Sequence, residues 1–432
     1  MVKTSTKYVC QQCGAQTPSW FGRCPSCNAW NSLVETRIET SSEKVSGQKV
    51  ELFRLSQVKT GFGERVTTGS FEFDRVLGGG IVAGSVILLS GDPGIGKSTL
   101  LLQVASKIQK QTIYISGEES LEQIKIRSRR LSLKLEKTDF LAETNVENIL
   151  ATLNGQNPGL VICDSIQTMW TQTLAGTPGS IGQVRQSAQL LLSWAKKASV
   201  PLFLVGHVNK EGAIAGPMVL SHLVDTILFL EGERFSSLRL LRSLKNRFGP
   251  TDEVGVFEMG EKGMEEVSNP SKLFLASRTA KVPGSTVLVT MEGTRPVLVE
   301  LQALVSPTQL PIPRRVGQGV DYNRLQMISA VLGKKIGLPL ANFDLYVNVV
   351  GGLKVNEPAA DLGIALAIIS SFKNLALPAK MACFGELGLL GELRPVREAV
   401  KRTKEARRLG FTQVASPESF SSINLAAKKL LI

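Results

Sequence analysis

Four groups of residues in this 432-residue chain have the types and spacing that chemistry requires. The stretch GDPGIGKST, residues 91–99, matches the pattern G-x4-G-K-[ST]. Gly91, Gly94 and Gly96 let backbone N–H groups wrap a phosphate at a helix N-terminus. Asp92, Pro93, Ile95 and Thr99 complete the cradle. Lys97 reaches the β- and γ-phosphates, and Ser98 holds Mg²⁺. The run LVICDS, residues 160–165, ends in Asp164, placed to hold the same Mg²⁺ through water. Between them, TIYISGEES, residues 112–120, brings Glu118 and Glu119 to a strand end. One of these carboxylates can orient an attacking water, and Glu118 is favoured over Glu119. The alternative is two solvated acids capping the next helix. ATP and Mg²⁺ are the implied cofactors.

The fourth group is four cysteines in two pairs, Cys10-x2-Cys13 and Cys24-x2-Cys27, ten residues apart. Two such knuckles present four thiolates tetrahedrally at about 2.3 Å from Zn²⁺. Gly14 permits a tight turn after the first knuckle. Trp20 and Trp30 are expected to cover the site. Zinc stabilises a module of this kind by roughly 10–16 kcal/mol, so the metal reads as structural. Redox or merely buried cysteines are the alternative reading.

Composition narrows the field. Hydrophobic residues make 43% of the chain and charged residues 20%, a globular balance. Fifty Lys and Arg against 37 Asp and Glu give +13, which suggests a polyanionic partner. Only two histidines, His207 and His222, leave little room for His-rich metal catalysis. Aromatics at 6% argue against a stacking platform. The longest uncharged apolar run, residues 362–372, is too short to cross a membrane. The N-terminus has no apolar leader pattern, so the expected location is cytoplasmic.

The elements that must position these residues can be read from hydrophobic runs. SVILLSG, TIYISG, LVICDS, PLFLVG, DTILFL and LRLLRS alternate with helical patterns. Short apolar runs ending in Gly, Ser or Asp are buried parallel strands with function at their C-terminal ends. A second α/β pattern follows, with STVLVTM, RPVLVELQ and FDLYVNV as strands. The expected organisation is a four-Cys finger over 1–35, a polar linker over 36–60, an ATPase domain over 61–267 and an α/β domain over 268–432.

The segment TGSFEFDRVLGGGIVAGSVILLSGDPGIGKSTLLLQ, residues 68–103, resembles the opening of the RecA/DnaB-type ATPases. With the finger ahead of it, GHVNKEG at 206–212 and KNRFG at 245–249, the chain resembles the bacterial RadA/Sms family across its length. The resemblance implies a RecA-like core, head-to-tail assembly and ATP between neighbours. Lys245 and Arg247 would then touch the γ-phosphate of the adjacent subunit, a basic surface turn being the bland reading. His207 would be a sensor linking that phosphate to a DNA-binding loop. The resemblance also implies a homo-oligomer, a hexameric ring, acting on single-stranded or branched DNA beside a recombinase or replicative helicase.

Two loops would line such a ring. One covers residues 167–185, is rich in Gly, Thr and Ser, and carries Arg185. The other, residues 209–217, carries Lys210. Both cations would meet phosphates without reading sequence. A helix over 121–135 and another over 396–409 add basic faces. In the second, Val396, Ala399, Val400 and Ala406 are expected inward, Arg397, Lys401, Lys404 and Arg408 outward, with Gly410 at the cap.

From about residue 272 the chain resembles the proteolytic domain of Lon, in GGLKVNEPAADLGIALAI and GELGLLGELRPVREAV. The nucleophile's position reads Ala359, and the lysine's position falls near Val400, next to Lys401. A methyl group cannot attack a carbonyl, so the Ser–Lys dyad is lost and a scaffold role is expected. Asp361 reads as a helix cap. The leading reading is a DNA-stimulated ATPase that processes or branch-migrates recombination intermediates. A Lon-type protease and a non-translocating ATP-binding regulatory module are the alternatives.

Overall fold

The computed structural model describes residues 3–10, 15–26, 28, 30–40, 54, 65–207, 217–232 and 237–431. It divides the chain into two units. One holds residues 1–232, 239–251 and 257–266, the other 233–238, 252–256 and 267–432. Most of the expected linker, together with Cys13, Cys27 and Lys210, lies outside the described residues.

The N-terminal portion is a small antiparallel sheet. β1 (Lys3–Cys10) pairs with both β2 (Gln16–Thr17) and β3 (Leu33–Thr40). Its interior is Cys10, Cys24 and Leu33, with Tyr8 and Ala15 against them. Trp20 and Trp30 are 55% and 72% exposed rather than covering. So small a unit has too little surface to enclose two indoles.

The portion that carries residues 91–99 is a nine-stranded sheet. After α1 (Phe71–Leu77) come β4 (Val86–Gly91), α2 (Lys97–Lys107), β5 (Thr112–Ser116), α3 (Leu121–Arg130), β6 (Thr138–Ala142), α4 (Val146–Leu153) and β7 (Leu160–Asp164). Then follow α5 (Ile181–Ala198), β8 (Leu202–Val205), α6 (Pro217–Leu220), β9 (Thr226–Glu231), β10 (Leu238–Asn246), β11 (Val254–Gly260) and β12 (Gly263–Glu266). The order is β12-β11-β10-β9-β4-β8-β7-β5-β6. The six strands from β9 to β6 are parallel, and β10 turns back antiparallel to β9. β4, β5, β7 and β8 are buried at every position. Parallel strands covered on both faces require such apolar runs.

Two helical expectations change. The segment after β7 is not a loop as far as Arg185, because α5 begins at Ile181. The helix expected over 121–135 ends at Arg130, and Ser132 takes φ +53°. Ser120 and Gln123, rather than the acids, cap its start with a reciprocal capping box.

The second unit is a six-stranded sheet. α7 (Pro270–Phe274) precedes β13 (Ser285–Glu292), β14 (Arg295–Pro307), β15 (Arg315–Gln318), α8 (Tyr322–Ile336), β16 (Phe343–Val349), α9 (Asp361–Lys373) and β17 (Met381–Cys383). The chain ends with β18 (Glu386–Leu387), β19 (Leu393–Arg394), α10 (Ala399–Arg408), β20 (Gln413–Ala415) and α11 (Ile423–Leu430). The order of the main sheet is β15-β16-β14-β13-β17-β20. The helix α10 starts at Ala399, after Glu398 in a left-handed conformation. Val400 is therefore 80% exposed instead of inward. Arg402 goes inward, 1% exposed, and its guanidinium holds Glu357 through two bonds of 2.8 and 2.6 Å and the Val289 carbonyl at 2.6 Å.

Removing one partner of a buried ion pair strands the other. Arg402→Met is expected to cost about 3–5 kcal/mol in urea unfolding. Arg402→Met with Glu357→Met should recover part of that. A single variant as stable as wild type would contradict this account.

Candidate functional site

Parallel pairing brings the C-terminal ends of β4, β8, β7 and β5 side by side. The phosphate loop follows β4, His207 follows β8, Asp164 ends β7 and Glu118 follows β5. Four distant stretches of chain thus meet at one sheet edge. The loop's glycines are required by space. A Cβ on Gly91 would lie 2.3 Å from the Leu230 carbonyl, and Gly96, at φ +113°, faces Met259 at 2.5 Å. Ser98 and Thr99 stand in the first turn of α2. Asp92, Pro93 and Gly94 are exposed at the loop's mouth, and Ile95 is buried beneath.

Lys97 is buried, and its ammonium donates to the Gly91 and Asp92 carbonyls at 2.9 Å each. Burial pulls its pKa down to about 8, against the attraction of Asp164, Glu118 and Asp92. Asp164 accepts a 2.5 Å bond from the Tyr114 hydroxyl. Burial, and then the Asp164 charge, push that hydroxyl's pKa well above its ordinary value. Tyr114 has no motif of its own, only a place in a strand buried at every position.

The two adjacent acids have different fates. Glu118 accepts a short bond from the Ser165 hydroxyl and lies 3.4 Å from His207 Nε2. The histidine bond, followed by the serine bond, brings its carboxyl down to about 2 against the opposing effect of burial. Glu119 turns away and pairs with Arg127. The Nδ1 of His207 and the Oε1 of Gln167 are buried without hydrogen-bond partners among the described residues. They mark places where a bound group or a moved loop could be received.

Beside Thr99 a cavity of about 630 Å³ opens between α3's end and the turn joining β11 to β12. Gln103, one helical turn after Thr99, fastens that turn. Its amide donates to the Met264 carbonyl at 3.2 Å and accepts from the Met264 N–H at 2.8 Å.

Lys245 and Arg247 lie elsewhere. Asn246, between them, pairs with Thr226, which aligns with Ile87, four residues before Gly91. That is roughly 13 Å of strand from the phosphate loop. Lys245 donates to the Ser221 and Val224 carbonyls at 2.6 and 2.8 Å. Burial and the neighbouring Arg247 lower its pKa. Arg247 is 56% exposed and lies 3.3 Å from Asp225, which Lys196 also pairs. Arg185 is exposed on α5.

The donor sets fit the groups they imply. Lys97, the glycine cradle and Ser98 would hold a triphosphate, with Asp164 facing its Mg²⁺. Cys10 and Cys24 share one small interior, as two thiolates of a four-Cys zinc site would. Asn28, at φ +61°, donates its N–H to the Cys24 carbonyl in a tight knuckle turn.

In the second unit Ala359 is buried, and Lys401 is exposed and paired with Glu398 at 3.1 Å. No hydroxyl–amine dyad exists at those positions. Asp361 is not a simple cap. It is buried, bound by Arg324 and by the Leu387 N–H at 3.2 Å.

The fold and site define a RecA-like P-loop ATPase core, preceded by a four-Cys zinc unit and followed by a Lon-protease-like α/β domain. Family models match in that order: a rubredoxin metal-binding domain at residues 8–35, KaiC at 66–152 and the ChlI subunit of Mg-chelatase at 323–419. The DNA repair protein RadA of Pseudomonas aeruginosa is 49% identical, the alignment covering 96% of this chain and 94% of that protein. Those of Halalkalibacterium halodurans and Bacillus subtilis are 48% and 47% identical, covering 97% and 96% of this chain and 93% of each relative. The chain belongs to the bacterial RadA family of DNA repair proteins. Among the described residues, no helix is long and apolar enough to cross a membrane.

Two predictions arise here. Phosphate next to Lys97 raises its pKa, so nucleotide binding above pH 8 takes up a proton. ADP affinity should fall as pH rises past about 8, by up to roughly tenfold per pH unit. Calorimetry in buffers of different ionisation enthalpy would detect the proton, and affinity that stays flat from pH 7 to 9.5 would contradict the assignment. Separately, Cys24→Ser should lose its zinc equivalent by atomic absorption, and a full complement would exclude this ligand set.

Proposed function

We propose that this chain is a DNA-dependent ATPase of recombinational repair, working as a ring of identical subunits on single-stranded or branched DNA. One observation carries the reading. The phosphate loop, Asp164 and the Glu118–Ser165–His207 cluster share one sheet edge, while Lys245 and Arg247 stand about 13 Å of strand away. That separation supports the reading that the two cations serve a neighbouring subunit's phosphates rather than their own. A cation supplied in trans gives roughly 10³–10⁵ in rate in GTPase systems.

In this reading Lys97 and the loop amides bind the phosphates, and Ser98 and Asp164 hold Mg²⁺. The cavity beside Thr99 receives the base. Glu118, kept ionised, orients the attacking water, and Glu119 is spent on Arg127. His207 joins that carboxylate to the segment containing Lys210, so loss of the γ-phosphate is felt where DNA binds. Arg185 and Lys210 contact phosphates of a single strand, each removing about 0.7 from the slope of log K against log salt. The zinc unit contacts a recombinase or replicative helicase. The Lon-like unit is a scaffold, because Ala359 cannot act as a nucleophile.

The test is ATP turnover with and without single-stranded DNA, across a range of protein concentration. Wild type should be stimulated, and its specific rate should rise as subunits associate. Lys97→Ala should abolish nucleotide binding. Arg247→Ala and Glu118→Gln should retain binding yet lose roughly 10³ in rate. Equal DNA stimulation in all four proteins, or turnover per chain independent of concentration, would overturn the proposal.

A further inference from the structure

Part of one face of the second unit's sheet, over β15, β16 and the later half of β14, is left open, and its side chains form two ordered rows. Strand register sets Gln302 beside Asn348 and Asn348 beside Gln318, a row of amides across β14, β16 and β15. Two residues along the strands, Leu304, Tyr346 and Val316 form an apolar and aromatic row. Leu304 is 60% exposed and Val316 46%, so water covers surface that a sheet ordinarily buries. Both rows line a cavity of about 550 Å³.

The end of the cavity holds a charge. Glu300 is 2% exposed. Its Oε1 accepts from the Ser285 hydroxyl at 2.6 Å and from the Gln302 amide at 3.3 Å. Its Oε2 has no hydrogen-bond partner among the described residues. The cation nearest in influence is Arg278, whose charge acts on Glu300 with no hydrogen bond between them; it donates to the Ala379 carbonyl at 3.0 Å, lies over the Phe411 ring, and keeps a buried Nε without a partner among the described residues. A carboxylate withdrawn from water whose hydrogen bonds all come from neutral groups is costly, and a positive group brought to its free oxygen recovers part of that cost. The same charge repels a phosphate. The neighbouring apolar row suits a methylene stem, and the amides can pair with peptide groups.

We propose that this face docks an extended segment of a protein partner, with an arginine or lysine side chain seated against Glu300 and its stem across Leu304, Tyr346 and Val316. The charge complementarity of Glu300 selects this occupant over a nucleic acid.

The test uses the full chain and a fluorescent acetyl-Ala-Leu-Arg-Leu-Ala-amide peptide, beside its neutral citrulline isostere, followed by anisotropy. The arginine peptide should bind at least tenfold more tightly than the citrulline peptide. Glu300→Gln should erase that preference, and Leu304→Ala should weaken both peptides. Should Glu300→Gln prove unstable by thermal melting, Leu304→Arg, at an exposed position, should by itself abolish binding of the arginine peptide. Equal affinity for the two peptides, or no binding at millimolar concentration, overturns the proposal. Displacement by oligothymidylate would assign the face to nucleic acid. A change in oligomer size in Glu300→Gln would assign it to contact between copies. Either result defeats the partner-segment reading.

Discussion

The register of four parallel strands is the constraint on which the site depends. A phosphate, a divalent cation and an ionised base must lie within a few ångströms of one another. Their charges would repel or neutralise one another in an unordered chain. Hydrogen bonding of β4 to β8, β8 to β7 and β7 to β5 fixes the ends that carry Lys97, His207, Asp164 and Glu118. A shift of one residue in any of these ladders would also move apolar side chains from one covered face to the other. Core packing and site geometry are therefore held by the same bonds.

Polar second partners refine what the ladder sets. Tyr114 restrains Asp164, and Ser165 and His207 restrain Glu118. Gln103 plays the corresponding role for the cavity beside the phosphate loop. These residues have no motif of their own, because their work is to hold another side chain in place. The second unit has a parallel case, where Arg324 and Arg402 bind Asp361 and Glu357.

Much of this was legible in the sequence, for reasons that differ by element. The phosphate loop, Asp164 and the cysteine knuckles are contiguous patterns whose chemistry demands fixed spacing. Four of the six apolar runs, those of β4, β5, β7 and β8, are legible because burial on both faces leaves no polar alternation, whereas LRLLRS, read as a parallel strand, is β10, antiparallel to β9 and partly exposed. Other features depend on distant contacts. Arg402 reads as surface because cations usually are, and only the position of Glu357 makes it interior. Val400 reads as interior until Glu398, with φ +58°, delays the helix. The segment after β7 reads as one long loop because its glycines hide the helix start at Ile181. Trp20 and Trp30 read as covers because aromatics usually bury, but their module offers no interior large enough. The sequence favours Glu118 over Glu119, but the contacts that separate them, Arg127 for Glu119 and Ser165 with His207 for Glu118, are made only in space.

The helix α10 carries cations of two kinds. Lys401, Lys404, Arg407 and Arg408 face solvent, whereas Arg402 is sealed inside. Mobile ions crowd around the first kind and are excluded from the second. Ionic strength therefore acts on this helix as a dimmer rather than a solvent of the fold: it fades the outward field, and with it any attraction for a polyanion, while the interior pair keeps the helix seated. Brine and bare water would meet the same architecture wearing different charge.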